Sequence, residues 1–305
     1  MTVVDPDQFL GLASRGEEIA DAILMPLPLE RTVSYGTGTC RGPRAILDAS
    51  CQVELFDEET TVDFAEAPAL HTLSPLVVPG SLREYLDEVT RLASPFREKF
   101  VLGLGGEHTL TFGLTTGLAA DLEELTIVQI DAHADLIDEL EGRRWSHGTV
   151  MRRLWERGCR IVQVGVRSLS RAEFELANQD ERITTYFAHH LSSRWPELLQ
   201  CLRGLTGRVY LTVDVDGLDP SVVPSTGTPQ PNGLNWTQAM AIFSAVCRAP
   251  GSRLIGADVV EHVASPHPPG CDLTTARLVA KILAFWWVGV QEPRGEAGEG
   301  MSKPE

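Results

Sequence analysis

Short apolar runs that end in acidic or histidine side chains restrict what this chain can fold into. The runs are 99–106 (KFVLGLGG), 125–133 (LTIVQIDAH), 160–168 (RIVQVGVRS), 208–217 (RVYLTVDVDG) and 253–261 (RLIGADVVE). Their near-continuous apolarity, without strict alternation, suits strands of a parallel sheet covered on both faces. Segments with helical spacing lie between them, at 148–157, 171–179, 236–249 and 275–286. This alternation predicts an α/β fold of three layers, α/β/α. In such sheets ligands bind beyond the carboxyl ends of the strands. Gly-Gly-Glu-His at the end of the first run, Asp-Ala-His at the second, Asp-Val-Asp at the fourth and Glu261 at the fifth would then share one cleft.

The most informative of these ends is 131–136, Asp-Ala-His-Ala-Asp-Leu. If it continues the strand, Asp131, His133 and Asp135 point the same way, because side chains alternate with period two. The segment 214–219 repeats the device with Asp214 and Asp216. Taken alone, either could be a strand leading into a capped helix, or an exposed acidic loop. Together they put at least four carboxylates in one place, where they repel unless protons or cations neutralise them. Mixed carboxylate and imidazole ligands favour divalent Mn, Fe, Co or Zn over Ca or Mg. Two such ions can share bridging carboxylates and activate a water between them. His108 is a candidate further ligand, and the glycines before it suggest a tight turn or close backbone approach.

Charge and composition narrow the partners. The formal charge is −16, a poor match to the polyanionic backbone of nucleic acids and compatible with a small cationic substrate. Cys40, Cys51, Cys159, Cys201, Cys247 and Cys271 form no CxxC pair and read as scattered reduced thiols. The N-terminus lacks the basic start and long apolar run of a signal peptide. The most apolar stretch, LVAKILAFWWVGV, is interrupted by Lys281 and reads as a buried closing helix, not a membrane span. The GLGGEH stretch lacks the spacing and lysine of a phosphate-binding loop, so no nucleotide is expected. A soluble, cytoplasmic protein follows, with one domain over 1–290 and a disordered tail over 291–305.

With these motifs in order along the chain, the sequence resembles the ureohydrolases: arginase, agmatinase and related amidinohydrolases. The resemblance begins with TVSYGTGTCRGPRAILDAS (32–50) and runs through GLGGEHTLTFG, QIDAHADLIDELEGRRWSHGTVMRR, QVGVRS, LTVDVDGLDPSVVPSTGTPQPNGL and ADVVE. The segment after Asp135 is similar to the agmatinase branch. The resemblance implies an eight-stranded, mainly parallel sheet, assembled as homotrimers or homohexamers. It also implies two Mn²⁺ per subunit, one held by His108, Asp131, Asp135 and Asp214, the other by Asp131, His133, Asp214 and Asp216. A hydroxide between the ions would attack the guanidinium carbon. Glu261 would bind the guanidinium, His147 would act as acid or base toward the departing amine, Asp135 would add a hydrogen bond, and Thr228 would line the site.

The function so implied is manganese-dependent hydrolysis of agmatine to putrescine and urea. Alternatives are action on guanidinobutyrate, guanidinopropionate, arginine, guanidine or a formimino compound, or a non-catalytic metal-binding protein. Three departures from the family pattern bear on the substrate. Ile137 stands where agmatinase-like sequences often have arginine. The 221–234 loop carries Ser225, Gln230 and Asn232, of which Asn232 tolerates a left-handed turn. Glu261 is followed by His262 and then Val-Ala-Ser-Pro; Ile137 is a candidate substrate contact, and His262 is either a surface or supporting residue or a second such contact. In the 136–145 loop, Asp138, Glu139 and Glu141 favour a cationic tail and Arg143 or Arg144 could receive a carboxylate, unless, as is commoner for such side chains, all of them form a solvated loop surface.

Overall fold

The computed structural model describes residues 5–264 and 271–292. Eight strands form its single sheet: β1 (Ala22–Leu27), β2 (Leu70–Thr72), β3 (Phe100–Gly105), β4 (Leu125–Ile130), β5 (Arg160–Val164), β6 (Ile183–Tyr186), β7 (Thr206–Asp214) and β8 (Gly251–Val260). Their order is β2-β1-β3-β8-β7-β4-β5-β6, and every neighbouring pair is parallel. β1, β3 and β4 are buried at every position, as strands covered on both faces must be.

The helices divide between the two faces. On one lie α1 (Gly42–Ser50), α6 (Leu191–Arg203), α7 (Trp236–Cys247) and α8 (Asp272–Gln291), whose apolar residues share a core with Leu24, Leu102, Val128 and Leu211. On the other lie α2 (Leu82–Ala93), α3 (Leu110–Leu118), α4 (Val150–Glu156) and α5 (Arg171–Gln179), packed with Ile23, Val101, Ile127 and Tyr210. The three-layer fold is the one expected from the sequence. Capping boxes start α2 (Ser81 with Glu84), α5 (Ser170 with Glu173) and α7 (Asn235 with Gln238), satisfying amides that the first turn leaves unpaired.

Helix α8 alone among the described residues is long and apolar enough to cross a membrane, and it is the closing core helix anticipated. Its Lys281 is buried 2.8 Å from buried Asp57 and 3.1 Å from Glu59. The cysteines are all free. Of the tail expected to be disordered from residue 291, Gln291 instead ends α8 and Glu292 caps it, while residues 293–305 lie outside the described residues, as does the Ser265-Pro266 departure.

Three strands escaped the sequence reading. β1 contains Pro26, β2 is only Leu70–Thr72, and β6 is four residues with half-buried threonines. The second, third and fourth runs also end earlier than expected, because β4 stops at Ile130, β5 at Val164 and β7 at Asp214. Sheet order matters most for the site. β3, β8, β7 and β4 are the four central neighbours. The chain ends that follow them, widely separated in sequence, are therefore side by side.

Candidate metal centre

The Asp131–Asp135 segment is a loop, which corrects the strand-alternation argument for its convergence. Asp135 has φ 53°, a left-handed conformation rare for a residue with a Cβ, and this turns its carboxylate back toward Asp131. A ladder of buried amides holds the loop from below. Gln129 Nε2 donates to Asp131 Oδ2 at 2.8 Å, and Gln163 Nε2 donates to Gln129 Oε1 at 2.7 Å and to the Ala134 carbonyl at 2.8 Å. Thr185 completes the row by donating to Gln163 Oε1 at 2.9 Å. Gln129 and Gln163 pair across β4 and β5. A buried glutamine at matching positions of two apolar strands was the available sequence signal for this support, and it went unread.

The loop after β7 is set by Arg167. Its guanidinium donates to the carbonyls of Asp216 (2.6 Å), Gly165 (2.9 Å) and Gln230 (2.9 Å). Gly217 has no room for a side chain, since a Cβ there would lie 2.7 Å from the Asp131 amide nitrogen. On the β3 side a Cβ at Gly106 would meet the Leu29 carbonyl at 1.9 Å, the close backbone approach anticipated for this glycine-rich turn. Asn232 does adopt a left-handed φ of 65°.

These constraints bring the predicted ligands together in two overlapping groups, His108 with Asp131 and Asp135, and Asp131 with His133 and Asp216. His108 Nδ1 is 3.2 Å from Asp131 Oδ2, 3.0 Å from Asp135 Oδ2 and 3.6 Å from Asp214 Oδ2. His133 Nδ1 is 3.6 Å from Asp131 Oδ1 and 3.0 Å from Asp216 Oδ2. Asp131 thus gives one oxygen to each group. Asp214 belongs to neither group; its Oδ2 is the oxygen 3.6 Å from His108 Nδ1, and its Oδ1 accepts the Asp216 amide at 2.9 Å.

The donor set fits a pair of divalent cations. His108 Nδ1 is buried without a hydrogen-bond partner, which is costly unless a cation takes its lone pair. The carboxylates are burdened in the same way. Burial and the neighbouring Asp131 raise Asp135 to about 7. Burial, Asp216, Asp131 and Glu261 push Asp214 well above the carboxylate range. Burial pulls His133 down, but Asp131 and Asp216 outweigh it and raise the imidazole to about 11. His108 is raised against burial by Asp131 and Asp135. Protons on these groups do by themselves what divalent ions do better, neutralising a cluster of charge away from water. The mixed oxygen and nitrogen donors suit a first-row transition ion.

A cleft of about 330 Å³ opens over this cluster, and Glu261, His147, Thr228 and Ile137 line it. Glu261 has φ 62° and sits directly after β8. Its Oε1 accepts the His108 amide at 2.7 Å, leaving the second oxygen for a ligand, and burial raises its carboxyl to about 8. Thr228 donates to Asp216 Oδ2 at 3.2 Å. His147 begins a short turn capped by Ser146, and its Nε2 meets Ser34 Oγ at 2.9 Å. Its Nδ1 lies 3.3 Å from Thr32 Oγ1, which donates to buried Glu107 at 2.7 Å. Burial lowers the His147 imidazole, aided by His108 and His133. Sequence reasoning missed Thr32, Ser34 and Glu107 as partners of His147. They lie far from it in the chain, and hydroxyl residues in a loop carry no distinctive pattern.

His262 is a correction. Its side chain is fully buried and faces α8, with Nε2 2.8 Å from Asp272 Oδ1 and Nδ1 3.2 Å from Thr275 Oγ1. It does not line the cleft. The 136–145 loop is sorted likewise. Ile137 and Leu140 line the cleft, whereas Asp138, Glu139, Glu141, Arg143 and Arg144 are exposed outside it. Arg153 and Arg144 engage Asp138, and Arg144 also reaches Glu156. The acidic wall of the cleft comes from elsewhere, from Glu173 on α5, whose Oε1 accepts the Leu136 amide at 3.0 Å.

Comparison with known proteins bears on the family and the fold. The profile of the arginase family matches residues 20–286. An N(1)-aminopropylagmatine ureohydrolase of Synechocystis is 32% identical over 92% of this chain and 94% of its own length. An agmatinase of Bacillus subtilis is 32% identical over 82% of this chain and 86% of its own. The crystal structure of the agmatine ureohydrolase of Thermoplasma volcanium superposes with a TM-score of 0.82 at 24% identity, covering 95% of this chain and 96% of that one.

Proposed function

Because the chain belongs to the arginase family, we propose that it is an amidinohydrolase that releases urea from a guanidino compound whose other end is an amine, agmatine in the first instance. The observation that carries this reading is the charge of the cleft. Asp135, Glu173, Asp214, Asp216 and Glu261 line it, and among the described lining residues there is no lysine or arginine. A substrate with a carboxylate tail, such as arginine, guanidinobutyrate or formiminoglutamate, meets no cation there. With Asp135, Asp214 and Asp216 given to the ions and Glu261 to the guanidinium, an ammonium tail meets the remaining carboxylate, Glu173, with Ile137, Leu140 and Leu169 as an apolar wall for its methylenes.

The chain's own groups divide the work. Glu261, anchored through one oxygen by the His108 amide, receives the planar guanidinium with the other. Hydrogen bonds with Ser34 and Thr32 hold the His147 ring, which passes a proton to the departing nitrogen as the carbon–nitrogen bond to the tail breaks. Asp135 adds a hydrogen bond to the tetrahedral species, and Thr228 borders the reacting centre through its bond to Asp216. Two manganese ions, held by His108, Asp131, His133, Asp135, Asp214 and Asp216, would supply a water acidified enough to add to a poorly electrophilic carbon.

A second substrate, N(1)-aminopropylagmatine, is favoured by the relatives of that name at 32–34% identity. It shares the guanidino end and adds a further amine to the tail, so the same cleft chemistry serves. A cytoplasmic homotrimer or homohexamer, checked by light scattering, completes the proposal.

The test is urea release by the manganese-loaded protein from agmatine, N(1)-aminopropylagmatine, arginine, guanidinobutyrate, guanidinopropionate and formiminoglutamate. Preference for either amine-tailed compound supports the reading, and their ratio chooses between them. Preference for a carboxylate-tailed compound refutes the inference from cleft charge. Two bound ions with no turnover of any substrate refutes the hydrolase.

A further inference from the structure

We propose that Asp258, acting through Thr212, holds His108 in the tautomer that a metal ion requires. The proposal rests on the metal-centre reading and adds positioning residues that touch neither substrate nor ion. Thr212 lies on β7 two residues before Asp214, and Asp258 is its register partner on β8. Thr212 Oγ1 is 2.8 Å from His108 Nε2 and donates to Asp258 Oδ1 at 2.6 Å. Asp258 Oδ2 accepts from Thr111 Oγ1 and Tyr210 OH, each at 2.8 Å. All five side chains are fully buried, so bulk water does not compete for these hydrogen bonds.

The direction of the chain follows from counting hydrogens. A threonine hydroxyl has one proton to give, and here it goes to Asp258. Toward His108 the same oxygen can only accept, so Nε2 carries the hydrogen. The Nδ1 lone pair is then left facing Asp131, Asp135 and Asp214, and this is the buried nitrogen without a hydrogen-bond partner. If Asp258 donated instead, Thr212 would donate to Nε2, the imidazole proton would sit on Nδ1, and His108 could not ligate. Three hydroxyls converge on the Asp258 carboxylate oxygens, the arrangement of an acceptor, while burial pushes the carboxyl upward against His108 and those donors. Space is made for it by Gly103 on β3, where a Cβ would come within 3.1 Å of the Asp258 Cβ. Partners of this kind fix ligand orientation and proton position, and their loss typically weakens metal affinity about 10- to 100-fold.

The test is titration of the metal-free protein with Mn²⁺, following heat and the paramagnetic signal of free ion, in wild type, Thr212→Ser, Thr212→Val and Asp258→Asn. The asparagine amide would donate to Thr212 and reverse the chain. Wild type and Thr212→Ser are expected to bind two ions with similar affinities. In Thr212→Val and Asp258→Asn one ion should weaken about 10- to 100-fold, while the ion held through His133 stays as in wild type. Equal binding by all four proteins overturns the proposal, as does equal weakening of both ions, which marks general damage. If the two buried changes prevent folding, Tyr210→Phe decides, since it removes one donor to Asp258 without touching His108. Selective weakening of the same ion supports the relay, and wild-type affinity overturns it. A wild type that binds no ion removes the metal centre itself.

Discussion

Glu261→Gln separates the substrate contact from the metal centre. Gln has the same shape, and its amide oxygen can still accept the His108 N–H that now bonds Glu261 Oε1 at 2.7 Å. The ligand-facing position then carries an NH₂ group, a donor set against the donors of a guanidinium. Glu261 is only 9% exposed, so with substrate filling the cleft little water can compensate. Removing one partner from a buried ion pair weakens binding by about 3–5 kcal/mol. At about 1.4 kcal/mol per decade this is a fall in kcat/KM of roughly two to four decades. The assay is urea release from agmatine, with manganese content measured on the same preparations. Because Glu261 touches the His108 backbone and no ligand atom in the two groups, both ions should remain. A fall smaller than about tenfold with both ions bound would refute the guanidinium role. Loss of activity together with loss of metal would place Glu261 in the metal site instead.

Asp131→Asn should lose both ions, because Asp131 gives an oxygen to each group, whereas His133→Ala should lose one, and atomic absorption on desalted protein distinguishes them. Metal loading should release protons. His133 is raised to about 11 and Asp135 to about 7, so at neutral pH the metal-free protein carries protons that the ions displace. Affinity should therefore rise with pH by up to about tenfold per unit for each displaced proton, and a binding heat independent of buffer ionisation would contradict this. His147→Ala should lower kcat by roughly 10²–10⁴ with metal content unchanged, whereas parallel loss of metal would mean that the ring holds the site and not a proton. Lys281→Met strands buried Asp57 and should destabilise the fold by about 3 kcal/mol, so a change under about 1 kcal/mol in urea unfolding would show that Arg277, 3.4 Å from Asp57, compensates.

Much of this was legible in the chain itself. Continuous apolar runs that alternate with helical spacing admit few arrangements besides a covered parallel sheet, and their polar ends mark the side where ligands bind. Asp131, His133, Asp135, Asp214 and Asp216 stood out because carboxylates at that density need cations. Two conclusions came by weaker routes. The Asp131–Asp135 side chains converge, but through a loop with a left-handed Asp135 and not through strand alternation. His262 resembled a site residue by adjacency to Glu261, yet the turn after β8 sends neighbouring side chains to opposite sides, one to the cleft and one to Asp272.

Residue type and local spacing determined the fold class and the chemistry, because periodicity and charge density are local properties of a chain. Tertiary structure decided everything that depends on strand order. It made β3, β8, β7 and β4 neighbours, so that His108, Glu261, Asp214 and Asp131 meet. It put Glu173 into the cleft and turned Arg143 and Arg144 out of it. It also set Thr32 and Ser34 against His147, and Thr212 and Asp258 beneath His108. Those pairings join residues 46 to 115 positions apart. A hydroxyl or a carboxylate carries no mark of its distant partner until the sheet brings the two within hydrogen-bonding distance.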